Sequence, residues 1–291
     1  MVAGNWKALM DSGAGIRTEA VYKPIIRSQP IIAKASTGDP RPEANHILRI
    51  LPSREYERLL PHLQPMPITQ NQVLLDVGAP MNGAYFVNAG LVSHLTVMGN
   101  GDSVEVGLLG HEGFAGLPLL PDIARSSARI TVHVAGDAMR INANVLYKLL
   151  SDLPVLERLL FRFTYLQTLQ AQQIAACNRL HEVDRRLTRW LLMTQDRVCL
   201  QTLPLTHDLL AAVLGTRRSS VSVAASILQR TGIIEYRRGK VKILNRRQLE
   251  ASACECYSIM SAHLQAYLAT GTGAAAGSSP FRPAIPTAMS D

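Results

Sequence analysis

The chain has 291 residues, 47% of them hydrophobic and 18% charged, with a formal net charge of +8 and a pI near 9.6. That length and apolar content are enough for a sizeable core and for two domains. Four cysteines are too few for a disulfide framework, no apolar run reaches the ~18 residues that a membrane span needs, and no hydrophobic signal segment opens the sequence. A secreted disulfide scaffold and a membrane protein are thereby excluded, and a reduced, cytoplasmic setting is expected.

In chain order, residues 1–43 mix Gly, Ser, Pro and isolated apolar residues without a sustained period and read as a flexible N-terminal arm. A short helix is expected over 52–63. From 68 to 141 the pattern changes to short strands. Leu91, Leu95 and Val97 share one strand face, as do Val104, Val106 and Leu108, and again Ile130, Val132 and Val134, with Thr131 and His133 opposite. Turn residues recur at Gly78, Gly90, Gly99, Gly110 and Gly136. Short alternating strands at this spacing predict a sandwich or a barrel-like roll over 44–152.

Between 155 and 195 the period becomes helical. Leu159, Phe163, Leu166, Gln170, Gln173, Cys177 and Leu180 follow one another at alternating steps of four and three, the spacing of a two-helix seam. Glutamines inside a seam cost stability, which is tolerable if they set register or face a bound molecule. A plain amphipathic helix packed on its own domain would tolerate them too, at its edge. The expectation adopted is a dimer seam within a helix-and-hinge segment over 153–195.

Residues 206–242 carry the strongest pattern. Thr206 is placed to cap a helix whose apolar residues Leu209, Leu210, Val213 and Leu214 recur at helical spacing, and Gly215 ends it. A second helix begins near Arg217 and buries Val221, Ala224, Ala225 and Leu228, which turns Arg218, Ser219, Ser222 and Arg230 away from the core. A basic hairpin with Arg237, Arg238, Gly239 and Lys240 follows. Residues 181–250 hold thirteen Lys and Arg against six Asp and Glu, nearly the whole positive excess of the chain. A basic region coincident with a helix-turn-helix pattern is the electrostatic footprint of phosphate contact. Farther on, Cys254 and Cys256 would point about 200° apart on a helix, so they read as ordinary thiols and no metal site is expected. Residues 270–291 read as a flexible tail.

The order of these parts, with L-G-T-R-R-S-S-V and G-I-I-E-Y-R-R-G-K-V in the last third, resembles the Crp/Fnr transcription regulators over residues 45–260. The stretch L-E-A-S-A-C-E-C-Y is similar to one branch of that family. The resemblance implies an α+β chain: an N-terminal jelly-roll-like β-roll with the cyclic-nucleotide-binding fold (44–152), a long dimerisation helix (153–195) and a winged helix-turn-helix (196–260). It also implies a homodimer on double-stranded DNA with a two-fold symmetric site, and RNA polymerase as a further partner. By similarity, Arg218, Ser219 and Val223 lie where the recognition helix meets base edges, Thr206, Arg217 and Ser220 where it meets phosphates, and Arg237, Arg238 and Lys240 on the wing. Side-chain chemistry agrees with that division. Arg218 can pair bidentately with guanine, Arg217 lies about 100° around the helix toward a backbone strand, and Val223 offers only apolar contact, for example to a thymine methyl.

For the roll, the same resemblance places a ligand site at Gly116, Arg125 and Ser126, with Gln172 from the long helix. The family's ribose-holding Gly-Glu pair is here Gly116-Leu117, and losing that carboxylate argues against cyclic AMP. The effector is therefore unidentified, and no cofactor is evident. The family's mechanism would pass a signal from the roll through the helix pairing to a bend near Glu182 to Asp184. Two other classes stand beside this one. A ligand-binding roll with incidental DNA contacts predicts sequence-blind, salt-sensitive binding. A metal-dependent roll enzyme needs an H-x-H on one strand, whereas His94, His111 and His133 lie in separate segments; His94 or Cys177 could serve a haem sensor as axial ligand. No catalytic residue is assigned.

Overall fold

The strand signals of the first half become one antiparallel sheet in a computed structural model that describes residues 44–198 and 200–269. The arm expected over 1–43 and the tail over 270–291 lie outside the described residues. Asn45 caps the first helix, α1 (His46–Ile50), by accepting from the Ile47 and Leu48 amides. The helix expected over 52–63 is α2 (Ser53–Leu59) with a 3-10 turn after it. The strands are β1 (Gln64–Ile68), β2 (Val73–Leu75), β3 (Gly83–Val97), β4 (Ser103–Leu109), β5 (Phe114–Ala115) and β6 (Arg129–Asn142). Their order is β1-β6-β3-β4, with β2 also on β6 and β5 also on β3.

The long strands β3 and β6 pair from Gly83↔Asn142 to Leu95↔Arg129, with register shifts between Val87 and Val92. At Gly136 a Cβ would stand 2.0 Å from the Ala89 carbonyl oxygen, so the close crossing of the two strands admits no side chain there. Phe86 and Phe114 pack at 4.9 Å between ring centroids inside the roll, with Leu109, Val132 and Ile141. On β4 the face that carries Val104 and Val106 is only half-buried, whereas Glu105 on the other face is buried, because a helix of the C-terminal half covers that side.

After α3 (Ala143–Leu150) the long helix α4 (Pro154–Leu180) begins at a proline, whose missing N–H is harmless in a first turn. It stops at His181, which is extended (φ −117°, ψ 143°), and the chain re-enters a helix as α5 (Val183–Val198). The expected bend thus falls at His181 and Glu182, and Asp184 already belongs to the first turn of α5. Beyond residue 243 lie α8 (Arg246–Ser252) and α9 (Glu255–Ala269). The sequence reading did not anticipate α9 as a packing element. It runs back along α4 and inserts Leu264 and Tyr267 into the core of the roll, the Tyr267 ring lying 5.9 Å from that of Phe163 and 5.5 Å from that of His46.

This packing corrects the seam on α4. Leu159, Phe163, Leu166, Gln170 and Cys177 are buried inside the chain itself, Gln173 is half-buried, and Leu180 at the helix end is exposed. With its amide oriented to satisfy both groups, Gln170 donates to the Leu108 carbonyl (3.1 Å) and accepts from the Leu108 amide (3.2 Å). The seam glutamines therefore complete the edge of β4 and contact α9, which leaves this face closed to a second copy. Residues two positions along, about 200° around the helix, make the opposite face: Phe161 is 53% exposed and Tyr165 65%, with the half-buried Leu169 and the exposed Gln172 beside them.

Candidate DNA interface

Residues 202–243 fold as β7 (Thr202–Leu203), α6 (His207–Leu214), α7 (Arg218–Arg230), β8 (Ile234–Arg237) and β9 (Lys240–Ile243). Thr206 caps α6, its hydroxyl oxygen accepting from the Leu209 amide at 3.2 Å. Gly215 ends the helix at φ +56°, and its amide returns to the Ala211 and Ala212 carbonyls, a left-handed cap that a side chain would strain. On α7, Val221, Ala224, Ala225 and Leu228 are buried at the spacing that the sequence gives them. Arg217, Arg218, Ser219 and Val223 (62%) are exposed, and Ser220 is half-buried. Ile227 is exposed one turn beyond Val223 and extends its apolar strip, a relation that the i, i+4 spacing already contained. Ser222 does not face outward: its hydroxyl meets His207 Nδ1 at 2.9 Å and the Arg218 carbonyl at 3.0 Å. The Arg217 side chain gives α7 no cap, so the positive end of the helix dipole is not covered by a side-chain acceptor. Arg218 Nε lies 3.4 Å from Asp208 Oδ1, both well exposed, a pairing that solvent screens to a weak one.

The hairpin turns through Arg238 (φ +49°) and Gly239 (φ +72°), the pair of left-handed residues that a two-residue turn requires. Arg237, Arg238 and Lys240 are exposed, whereas Val241 is buried beneath them. The wing is held to both helices. The Tyr236 ring stacks on His207 at 4.3 Å, its hydroxyl donates to the Leu205 carbonyl (3.0 Å), and its amide donates to Gln229 on α7 (3.1 Å). Burial, and then the charge of Arg218, lower the pKa of His207.

Residues 185–252, which contain this whole arrangement, match the Crp-like helix-turn-helix domain. Solved structures match over both halves. FixK2 from Bradyrhizobium japonicum is 16% identical, with 66% of this chain and 98% of that one covered at a TM-score of 0.57. A transcriptional regulator of the Crp/Fnr family from Eubacterium rectale is 16% identical over 69% and 94% (TM-score 0.58), and one from Thermus thermophilus is 24% identical over 65% and 98% (TM-score 0.53). The chain has the Crp/Fnr regulator fold. A search of curated proteins finds no match. Among the described residues no helix is long and apolar enough to cross a membrane.

The helix-turn-helix domain is fastened to the roll through α5. Trp190 is fully buried, and its indole N–H donates to both oxygens of Glu105 on β4 (3.1 and 3.0 Å), a carboxylate that also accepts from the Ser93 hydroxyl. Burial raises the pKa of Glu105. Arg197 Nε donates to Glu112 at 2.7 Å; burial opposes ionisation of Glu112, but the Arg197 guanidinium, His111 and a backbone amide together outweigh it and keep the carboxyl below its ordinary value. Arg186 donates to the Leu214 carbonyl at the end of α6, and Gln70 of the roll donates to the Pro204 carbonyl (2.8 Å). Arg246 bonds Asp196 (2.6 Å), Gln195 (2.8 Å) and the Tyr257 hydroxyl (2.8 Å), tying α8 to α5 and α9. Met98 and Gly101 of the β3–β4 hairpin line an open cleft of about 900 Å³ together with Arg217 and Ser220, while Val104 packs directly against Gly215, so two residues expected at phosphates border the junction with the roll.

The residues expected to hold an effector are not brought together in this way. Arg125 is exposed and donates to the Gly78 carbonyl at 2.5 Å, while Ser126 is buried with its hydroxyl on the Ala128 carbonyl (2.6 Å). Gly116 packs so closely that a Cβ would meet Ala84 Cβ at 2.7 Å, and Gln172 stands on the exposed face of α4. The Arg125 and Ser126 side chains thus each donate to a backbone carbonyl of the roll itself. His94 and His133, the ligands that a metal-dependent roll would use, are held neutral by burial with pKa values near 4. The reading of the cysteines as separate thiols does need correction. Ala253 and Cys254 lie outside both helices, with Ala253 extended (φ −75°, ψ 159°), so the 200° rotation expected of a helical C-x-C does not occur. Cys254 and Cys256 instead converge with Cys177 and His181.

Proposed function

We propose that the protein is a homodimeric, sequence-specific DNA-binding transcription regulator of the Crp/Fnr type, acting in the cytoplasm and controlled through the roll. The observation that carries the reading is the surface of α7. Its apolar face is buried, its outward face sets Arg218, Ser219 and Val223 in a row, and a basic wing stands beside it. Arg218 then pairs with a guanine edge, Val223 and Ile227 meet thymine methyls, and Thr206, Arg217, Ser220, Arg237, Arg238 and Lys240 take the phosphates.

The dimer contact in this reading is the exposed face of α4 around Phe161 and Tyr165, continued by Leu169 and bordered by Arg158 and Arg162. These residues line an open, mostly apolar groove with His263 and Ala266 of α9. The cleft beside Arg217 supports a simple form of control. A duplex gains full access to the first turn of α7 when the β3–β4 hairpin and the reader separate, and an effector on the roll that weakens the α5 anchorage promotes that separation. RNA polymerase is the further partner that the fold suggests.

Selection of binding sites from random duplex DNA by the purified protein tests the reading at physiological salt. Recovery of a two-fold symmetric sequence is the expected result. Recovery of random DNA, with binding that simply fades as salt rises, would leave a basic protein without sequence readout.

A further inference from the structure

Cys177 and His181 lie one helical turn apart at the C-terminal end of α4, Cys254 lies in the break between α8 and α9, and Cys256 lies in the first turn of α9. One donor atom from each falls within 4.8 Å of all the others. Cys177 Sγ to Cys254 Sγ is 3.7 Å, and Cys256 Sγ to His181 Nδ1 is 3.6 Å. Tetrahedral zinc with metal–sulfur bonds of about 2.3 Å and metal–nitrogen bonds of about 2.05 Å has edges of about 3.8 Å between sulfurs and about 3.6 Å between sulfur and nitrogen. The two measured edges fit those values.

The surroundings fit as well. His181 directs Nδ1 at the sulfurs, while its Nε2 lies 3.3 Å from Glu255 Oε2, the carboxylate–imidazole pairing that fixes the ring of a metal-bound histidine. Gln173 Nε2 donates to Cys256 Sγ at 3.1 Å, as a donor beside a thiolate does. Three thiolates, a neutral imidazole and a divalent ion leave one negative charge, and two buried arginines from α5 supply the counter-charge: Arg189 is only 2% exposed, Arg186 is buried, and the Nε of each has no hydrogen-bond partner among the described residues. Glu255 and the edge of His181 reach solvent, which leaves an entry path.

We propose that Cys177, His181, Cys254 and Cys256 bind one tetrahedral divalent ion of the zinc class, which joins the end of α4 to the segment between α8 and α9. All four positions are protein ligands, so the site is a structural or sensory staple without an open position for catalysis. Binding releases the three thiol protons to solvent.

The test uses the full chain, reduced and stripped with a chelator, and cobalt(II) as the probe. One equivalent is expected to give the intense visible bands and the thiolate charge transfer of a tetrahedral sulfur-rich site, and zinc is expected to displace it one for one. Cys256→Ser should lower zinc affinity at least tenfold. Glu255→Gln keeps all four ligands at an exposed position and should lower it about tenfold. Weak octahedral cobalt bands in the wild-type chain, zinc content that stays far below one per chain, or zinc affinity unchanged in Cys256→Ser would overturn the proposal. So would a Cys177–Cys254 disulfide that re-forms in preference to metal uptake after reduction. None of these readouts involves DNA, so they stand or fall apart from the proposed regulator function.

Discussion

On α7 the exposed Arg218, Ser219 and Val223 point outward from a helix whose other face is fixed by apolar packing, whereas in the roll Arg125, Ser126 and Gly116 are each taken up by neighbours of their own domain. The reader is built to present groups, and the roll, as it stands, is built to satisfy them internally. The core of the roll is completed by side chains from outside it, Phe163 of α4 and Leu264 and Tyr267 of α9. Two buried carboxylates on its surface, Glu105 and Glu112, hold Trp190 and Arg197 of α5. Under the proposed function, changes in the roll reach DNA through α5 and α9, and changes on α7 reach it directly. The four-residue metal cluster lies at the junction of these paths.

The largest effect should come from breaking the α5 anchorage. Arg197→Met leaves Glu112 buried without its partner, and loss of about 3–5 kcal/mol is expected in a urea titration; a loss under about 1 kcal/mol would mean that the two regions are not held together there. Next, Phe161→Ala combined with Tyr165→Ala should raise the dimer dissociation constant by roughly 10- to 100-fold in sedimentation equilibrium, as removal of aromatic anchors does, whereas Leu159→Ala should lower fold stability and leave association nearly unchanged. On the reader, Arg218→Ala should cost roughly 1–3 kcal/mol on the selected site and relax preference at one symmetric base pair, while Lys240→Ala should weaken all duplexes alike. Equal losses of both variants on specific and random DNA would erase the distinction between base and phosphate contacts.

The remaining prediction concerns pH and acts on stability alone. Burial holds His46, His94 and His133 neutral in the folded chain, each with a pKa near 4 against an ordinary value of 6.5. Between those values the unfolded chain binds protons that the folded one does not, so stability falls as pH drops from about 6.5 toward 4. The urea midpoint at pH 5 should lie below that at pH 7.5, and His133→Gln should flatten the dependence. All three histidines belong to the roll, so a dependence that vanished in the roll variants would locate the acid-sensitive region there.

The sequence by itself determined the reader. Thr206, Gly215, the buried spacing of α7 and the two-residue turn at Arg238 and Gly239 are local features, each decided within a few residues by capping, helical period or backbone sign. It also determined the strands of the roll, whereas the break after α4 was implied by the family resemblance and not by the helical period. Only the tertiary structure decided which face of α4 is covered. A step of four and three marks an apolar stripe without naming its partner, and β4 and α9, distant in sequence, took the stripe that a second copy was expected to fill. The same holds for Cys177, His181, Cys254 and Cys256, since a ligand set divided between residues 177 and 256 has no spacing to read until α9 folds back on α4. Contacts of that kind are set by packing over long separations, to which periodicity and local chemistry are blind.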